Sequence, residues 1–168
     1  MVKVFFMAVA MTAVTACNTV DDDRIPSLPV NINLSTQDLW NKYGVAGYGQ
    51  YRKFILALRE PKDFSWVSNT ATGYGGVLLI SGQNPYNLET EDPLAYDLAC
   101  PVECKPEIRV EMHYDDMLPV AICPECGSHY DVTELGGSGV KGPAASRRLG
   151  LRKYKCLRSE YGGYLIRN

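Results

Sequence analysis

"CPECGSHYD", Cys123–Asp131, is the stretch on which the reading of this chain turns. Cys123 and Cys126 stand at i and i+3 around a Pro-Glu turn. That spacing makes a knuckle able to present both sulfurs to one ion, and Gly127 permits the left-handed turn that follows. Working outward, "LPVAI" (118–122) leads into Cys123, and "LAYDLA" (94–99) ends at Cys100. Each of these cysteines stands just past a strand-like run and is followed by proline, Pro101 or Pro124. Two strand ends can bring two short cysteine loops together at one tip of a β-domain.

The rest of the chain reads as strands separated by turns. "VNINL" (30–34) alternates Val30, Ile32 and Leu34 against two asparagines, the pattern of a half-buried strand. Ser35 is placed to cap a short helical turn, and glycines at 44, 47 and 49 forbid a long one. "YRKFILAL" (51–58), "GYGGVLLISG" (73–82) and "IRVEMHY" (108–114) add three strands. "GLRKYKCL" (150–157) and "YLIRN" (164–168), split by Tyr161-Gly162-Gly163, read as a closing hairpin. No amphipathic helix of three turns and no internal repeat is present. The expected class is all-β, a small sandwich or barrel.

Six cysteines occur, at 17, 100, 104, 123, 126 and 156. The middle four form two arms, C-P-V-E-C and C-P-E-C-G, near the zinc pattern of paired C-x-x-C arms, with the first arm one residue too long. Cys100, Cys104, Cys123 and Cys126 are therefore the candidate metal ligands. Glu103 offers an oxygen and His129 an imidazole as lesser candidates, while His113 falls in the outward phase of its strand. Cys156 alternates with Tyr154 on a late strand and reads as a buried free thiol.

"CPECGSHYDV", with "KGPA" at Lys141–Ala144, resembles the C-terminal half of a Rieske iron–sulfur domain of the cytochrome bc type. The resemblance covers about Leu94 to Tyr154 and rests on Gly127, Ser128, Tyr130, Asp131, Gly142 and Pro143. It implies a Rieske-like β fold with a metal-loop subdomain at one tip. A [2Fe–2S] cluster would sit between the two loops, the Gly-Pro loop covering its side. Ser128 and Tyr130 would donate hydrogen bonds to a sulfide and a ligand sulfur. Cys100 and Cys123 match the two cysteine ligands. The two histidine positions fall on Val102 and Cys126, so the site departs from the family there. Cys104 matches the family's first disulfide cysteine, whose partner position falls on Glu125. Two imidazoles raise a Rieske potential above that of all-cysteine clusters, so four thiolates would give a low-potential centre or hold zinc.

The N-terminus carries its own signal. Lys3, an apolar run from Val4 to Val14, and then Thr15-Ala16-Cys17 read as a signal peptide (1–16) ending in a sequence that resembles a bacterial lipobox. The run is too short to span a bilayer. The resemblance implies cleavage before Cys17 and lipid on its thiol, an anchor needing more than one acyl chain. The chain would then be a lipoprotein of the cell envelope, held to the outer membrane on its periplasmic or surface face. Residues 17–29, with Asp21, Asp22, Asp23, Pro26 and Pro29, read as a polar tether, leaving 30–168 as one domain.

Net charge is −2 and no basic stripe occurs, which argues against a nucleic-acid partner. The one dense basic spot, Arg147, Arg148, Arg152 and Lys153, reads as a solvated rim. Only two histidines are present and no 2-His-1-carboxylate set, against an oxygenase or hydrolase. Two readings stay open at this point. One is a metal-binding lipoprotein, either a [2Fe–2S] electron carrier with an unidentified redox partner or a zinc-stabilised module. The other is a metal-free, disulfide-stapled interaction module.

Overall fold

A computed structural model describes residues 19–81, 92–115 and 118–168. The segment read as a signal peptide, and Cys17, lie outside the described residues. The molecule is all-β, with a nearly closed, barrel-like seven-stranded sheet and a second, four-stranded sheet.

The large sheet begins with β1 (Val30–Thr36), followed by a short helix α1 (Gln37–Tyr43) capped by Thr36, one residue beyond the expected Ser35. Then come β2 (Tyr51–Phe54), β3 (Ala71–Thr72), β4 (Val77–Ile80) and β5 (Leu94–Asp97). The small sheet is β6 (Glu111–Asp115), β7 (Leu118–Ile122), β8 (His129–Asp131) and β9 (Ser138–Lys141). A one-turn helix α2 (Pro143–Arg147) follows, and β10 (Lys153–Arg158) with β11 (Gly162–Arg167) closes the chain. Strand order is β2-β4-β5-β10-β11-β1-β3 in the large sheet and β6-β7-β8-β9 in the small one, with every pair antiparallel.

Strand β4 shows how the sequence builds two cores. Its four residues, Val-Leu-Leu-Ile, are all buried. Successive side chains on a strand point to opposite faces. Val77 and Leu79 accordingly join Ile32, Leu34, Phe54 and Ile166 in the interior of the large sheet. Leu78 and Ile80 join Tyr96, Leu98, Val110, Ala121 and Tyr130 in a second core, which also holds Cys100 and Cys123. The second core lies between the two sheets and carries the cysteine loops.

Two local readings change. The run 51–58 is a strand only to Phe54; Leu56–Leu58 forms a 3-10 turn closed by Arg59 at φ +53. Ile55 still pairs with Glu60 across this turn, but Leu58 is left exposed, so no sheet partner continues the strand. Gly162 and Gly163 belong to β11 rather than to the turn before it. A Cβ on Gly163 would lie 2.0 Å from the Leu34 carbonyl oxygen, so β11 and β1 approach too closely there for any side chain.

Of the segment read as a tether, the part from Asp21 to Ile25 is docked on the domain. The Asp21 N–H donates to the Arg148 carbonyl (2.8 Å) and the Gly150 N–H to the Asp21 carbonyl (2.8 Å). Ile25 is fully buried. The Arg152 guanidinium donates to the Ile25 and Asp23 carbonyls (2.6 and 2.9 Å) and pairs with the Asp23 carboxylate at 3.0 Å.

Candidate metal centre

Two loops, one following β5 and one following β7, meet at the tip of the second core. In the first, the Cys100 N–H donates to the Ile108 carbonyl (3.0 Å), and the Cys104 N–H to the Cys100 carbonyl (2.9 Å). In the second, the Gly127 N–H donates to the Cys123 carbonyl (3.0 Å) and the Cys123 N–H to the Ser128 carbonyl (2.9 Å). Those two bonds close the knuckle expected from the spacing. Gly127 has φ +64 and open space beyond its missing Cβ, so conformation alone favours glycine there.

The sulfurs of Cys100, Cys123 and Cys126 all lie within 4.8 Å of one another. Cys100 Sγ and Cys126 Sγ are 3.7 Å apart. Cys100 and Cys123 are fully buried; Cys126 is half-buried at the rim. All five described cysteines are free thiols. Cys104 does not join the cluster. Its backbone is left-handed (φ +52), and its thiol donates to the Pro101 carbonyl at 3.1 Å.

Two side chains reach the sulfurs, and both are ones the family resemblance selects. The Tyr130 phenol lies 3.2 Å from Cys100 Sγ. The Cys126 thiol donates to Ser128 Oγ at 3.2 Å, and that oxygen also accepts the Ala144 N–H at 3.0 Å. With Ala144 supplying the donor, the Ser128 proton is free to turn toward Cys126 once that sulfur is a thiolate. Ala144 lies in α2, entered through Gly142 at φ +75 and Pro143. A Cβ on Gly142 would sit 3.0 Å from both Gly127 O and Ser128 Cα, so the Gly-Pro loop packs directly on the knuckle.

The three thiols differ electrostatically. Burial pushes the Cys123 thiol up to about 12 and raises Cys100 as well. Burial also opposes ionisation of Cys126. There, hydrogen bonds from the Ser128 hydroxyl and backbone and from the neighbouring thiols outweigh it, and Cys126 falls below the ordinary thiol value. Burial and the adjacent Cys100 raise the Tyr130 phenol far above its usual range, so Tyr130 is a neutral donor toward sulfur.

His129 does not approach the sulfurs. It neighbours Tyr130 on β8, and adjacent strand residues face opposite ways. It lines a shallow surface pocket with Asp115, Leu118 and Lys141 instead. His113 is exposed, as its phase implied. Glu103 is half-buried and outside the three-sulfur group.

One residue that carries the site was not singled out from the sequence. Asp97, fully buried at the end of β5, accepts four hydrogen bonds. They come from the N–H groups of Tyr74 (2.9 Å), Gly75 (2.9 Å) and Ala99 (2.7 Å) and from the Tyr154 phenol (2.6 Å). Tyr74 in turn donates its phenol proton to the Cys104 carbonyl at 3.0 Å. Asp97 thus ties the Gly73–Gly76 turn and β10 to the start of the first cysteine loop. The available signal was a lone carboxylate in the otherwise apolar "LAYDLA". Compared with known proteins, the chain matches no family model, no curated protein and no solved structure.

Proposed function

We propose that this domain binds a single thiolate-coordinated metal ion, zinc, on Cys100, Cys123 and Cys126, and that the ion locks the two cysteine loops together. Cys104 completes the four-coordinate shell by turning its thiol from the Pro101 carbonyl. The observation that carries this reading is the spacing of the sulfurs. Thiolate sulfurs stand about 2.3 Å from zinc, so the edge of a regular tetrahedron is about 3.8 Å. The Cys100–Cys126 separation of 3.7 Å is that edge. No nitrogen or carboxylate donor enters the group, a donor set that suits zinc or iron and not calcium or magnesium. A two-iron cluster carries its terminal sulfurs at opposite ends, wider apart than these three. With Val102 and Cys126 at the histidine positions, the residues do not fit an ordinary Rieske centre.

The Rieske resemblance, in this reading, is one of shape. The loops, the Gly142-Pro143 cover and the hydrogen bonds that pair Tyr130 with Cys100 and Ser128 with Cys126 support it. In this reading the domain is a membrane-anchored lipoprotein module, lipidated at Cys17 and exposed in the bacterial envelope, whose metal is structural.

The test is metal content. The full chain, purified in detergent under argon without added metal, is expected to be colourless and to hold one zinc. Cys126→Ser is expected to lose the metal, and Cys104→Ser to bind it at least tenfold more weakly. A brown protein with iron and acid-labile sulfide would replace the zinc reading with a cluster. No metal in the chain, with its thiols intact, would remove both.

A further inference from the structure

We propose that Cys126 and Cys100 form a reversible thiol–disulfide pair, so that this tip alternates between a metal-bound thiolate state and a metal-free, disulfide-linked state. The metal half of this statement rests on the zinc reading above; the disulfide half does not. Three observations carry it. The two sulfurs are 3.7 Å apart and belong to separate loops. A disulfide bond is about 2.05 Å long, so under about 2 Å of closure, shared between two loops, brings them to bonding distance. And exposure is asymmetric: Cys126 stands half-buried at the rim while Cys100 is fully buried behind it. An incoming oxidant therefore meets Cys126 first and never meets Cys100 directly.

The co-reactant is a low-molecular-weight disulfide, RSSR. The Cys126 thiolate attacks one of its sulfurs; the S–S bond to the other sulfur breaks, and RS⁻ leaves and takes up a proton. Cys126 is now a mixed disulfide with RS. The Cys100 sulfur attacks the Cys126 sulfur from inside the cluster, its proton passing to the departing thiolate. The second RS⁻ departs and is protonated in turn. Two protein thiols have lost two electrons and two protons, and RSSR has become two RSH. Excess RSH runs both steps backward.

The surroundings suit this chemistry. Ser128 Oγ already accepts the Ala144 N–H, which leaves its own proton to stabilise the Cys126 thiolate when it attacks and when it leaves. The Tyr130 phenol, 3.2 Å from Cys100 Sγ, does the same for the resolving sulfur. Oxidation removes two of the three clustered ligands at once. Only Cys123 and Cys104 then remain as thiolate ligands, two of the four, and the ion is released.

The experiment uses the full chain in detergent, loaded with zinc and treated with oxidised glutathione. Zinc release is followed with a chromophoric chelator, thiols are counted on denaturation, and the bond is mapped by peptide mass spectrometry. The expected result is one zinc released for each pair of thiols lost, a peptide joining Cys100 to Cys126, and recovery of zinc binding after reduced glutathione. Cys104→Ser is expected to form the same bond. Zinc retained with its thiols intact in large excess of oxidant would overturn the proposal. So would a bond joining Cys123 to Cys126, or any bond through Cys104. A chain that takes up no zinc yet forms the Cys100–Cys126 bond would leave the pair standing and remove only the zinc reading.

Discussion

At the scale of single residues, Asp97 and Cys156 carry effects that differ in kind. Asp97 is buried with four donors aimed at it. Burial raises its carboxyl above the ordinary range, against the opposing pull of those hydrogen bonds. Removing the acceptor leaves buried donors unpaired, at about 1–3 kcal/mol each. Asp97→Ala is therefore expected to lose at least about 3 kcal/mol of stability in urea unfolding, and Asp97→Asn, which keeps one acceptor, clearly less. Cys156 sits where burial first, and the charge of Asp92 second, push its thiol up to about 12 from 9.0. The folded state holds this proton more tightly than the unfolded chain. Its stabilising contribution is complete below about pH 9 and is lost as pH rises toward 12. Cys156→Val is expected to flatten that part of the stability profile, read from melting temperatures between pH 8 and 11. From alternation with Tyr154 the sequence suggested a buried thiol at 156, which is half-buried against the core of the large sheet. It gave no comparable hint for Cys104, because spacing does not report φ. A left-handed backbone at Cys104 turns its thiol to the Pro101 carbonyl and away from its expected partners.

At the scale of elements, a chain of contacts runs from the N-terminal strap to the cysteine loops. Asp21–Ile25 is fixed to residues 148–152, those residues follow α2, and α2 holds Ser128 against Cys126. Ile25→Ala empties a fully buried site. It is expected to cost about 3 kcal/mol and to speed hydrogen exchange of the Asp21, Gly150 and Ala144 amides. Unchanged exchange at Ala144 would separate the strap from the site. Elements with continuous or alternating apolar runs, such as β1 and β4, were legible from the chain. The strands β8 and β9, at three and four residues, are too short to show a period; their partners, not their composition, make them strands. The 3-10 turn at 56–58 hid behind an apolar run for the converse reason, since hydrophobicity alone does not supply a sheet neighbour.

At the scale of the whole molecule, two cores divide the work. The interior of the large sheet includes none of the three clustered cysteines, while the second core includes Cys100 and Cys123 and has Cys126 packed on it. Removing the ion from the loaded chain with a strong chelator is expected to raise hydrogen exchange in 100–108 and 123–130 and leave β1, β10 and β11 protected. Loss of protection throughout would mean that the metal holds the entire fold. The all-β class and the paired-loop tip were readable because strands, turns and two cysteine arms all point the same way. Which cysteines converge was not, because three sulfurs meet where the loop after β5 and the loop after β7 come together, an encounter that no spacing rule encodes.

X-ray absorption at the zinc edge of the loaded full chain tests the proposed centre most directly. The expected spectrum has sulfur as the principal scatterer at about 2.3 Å, with four sulfurs per zinc, and Cys126→Ser, which loses the metal, gives no zinc edge. A shell dominated by nitrogen or oxygen, or a spectrum unchanged by Cys126→Ser, would contradict a thiolate centre on Cys100, Cys123 and Cys126.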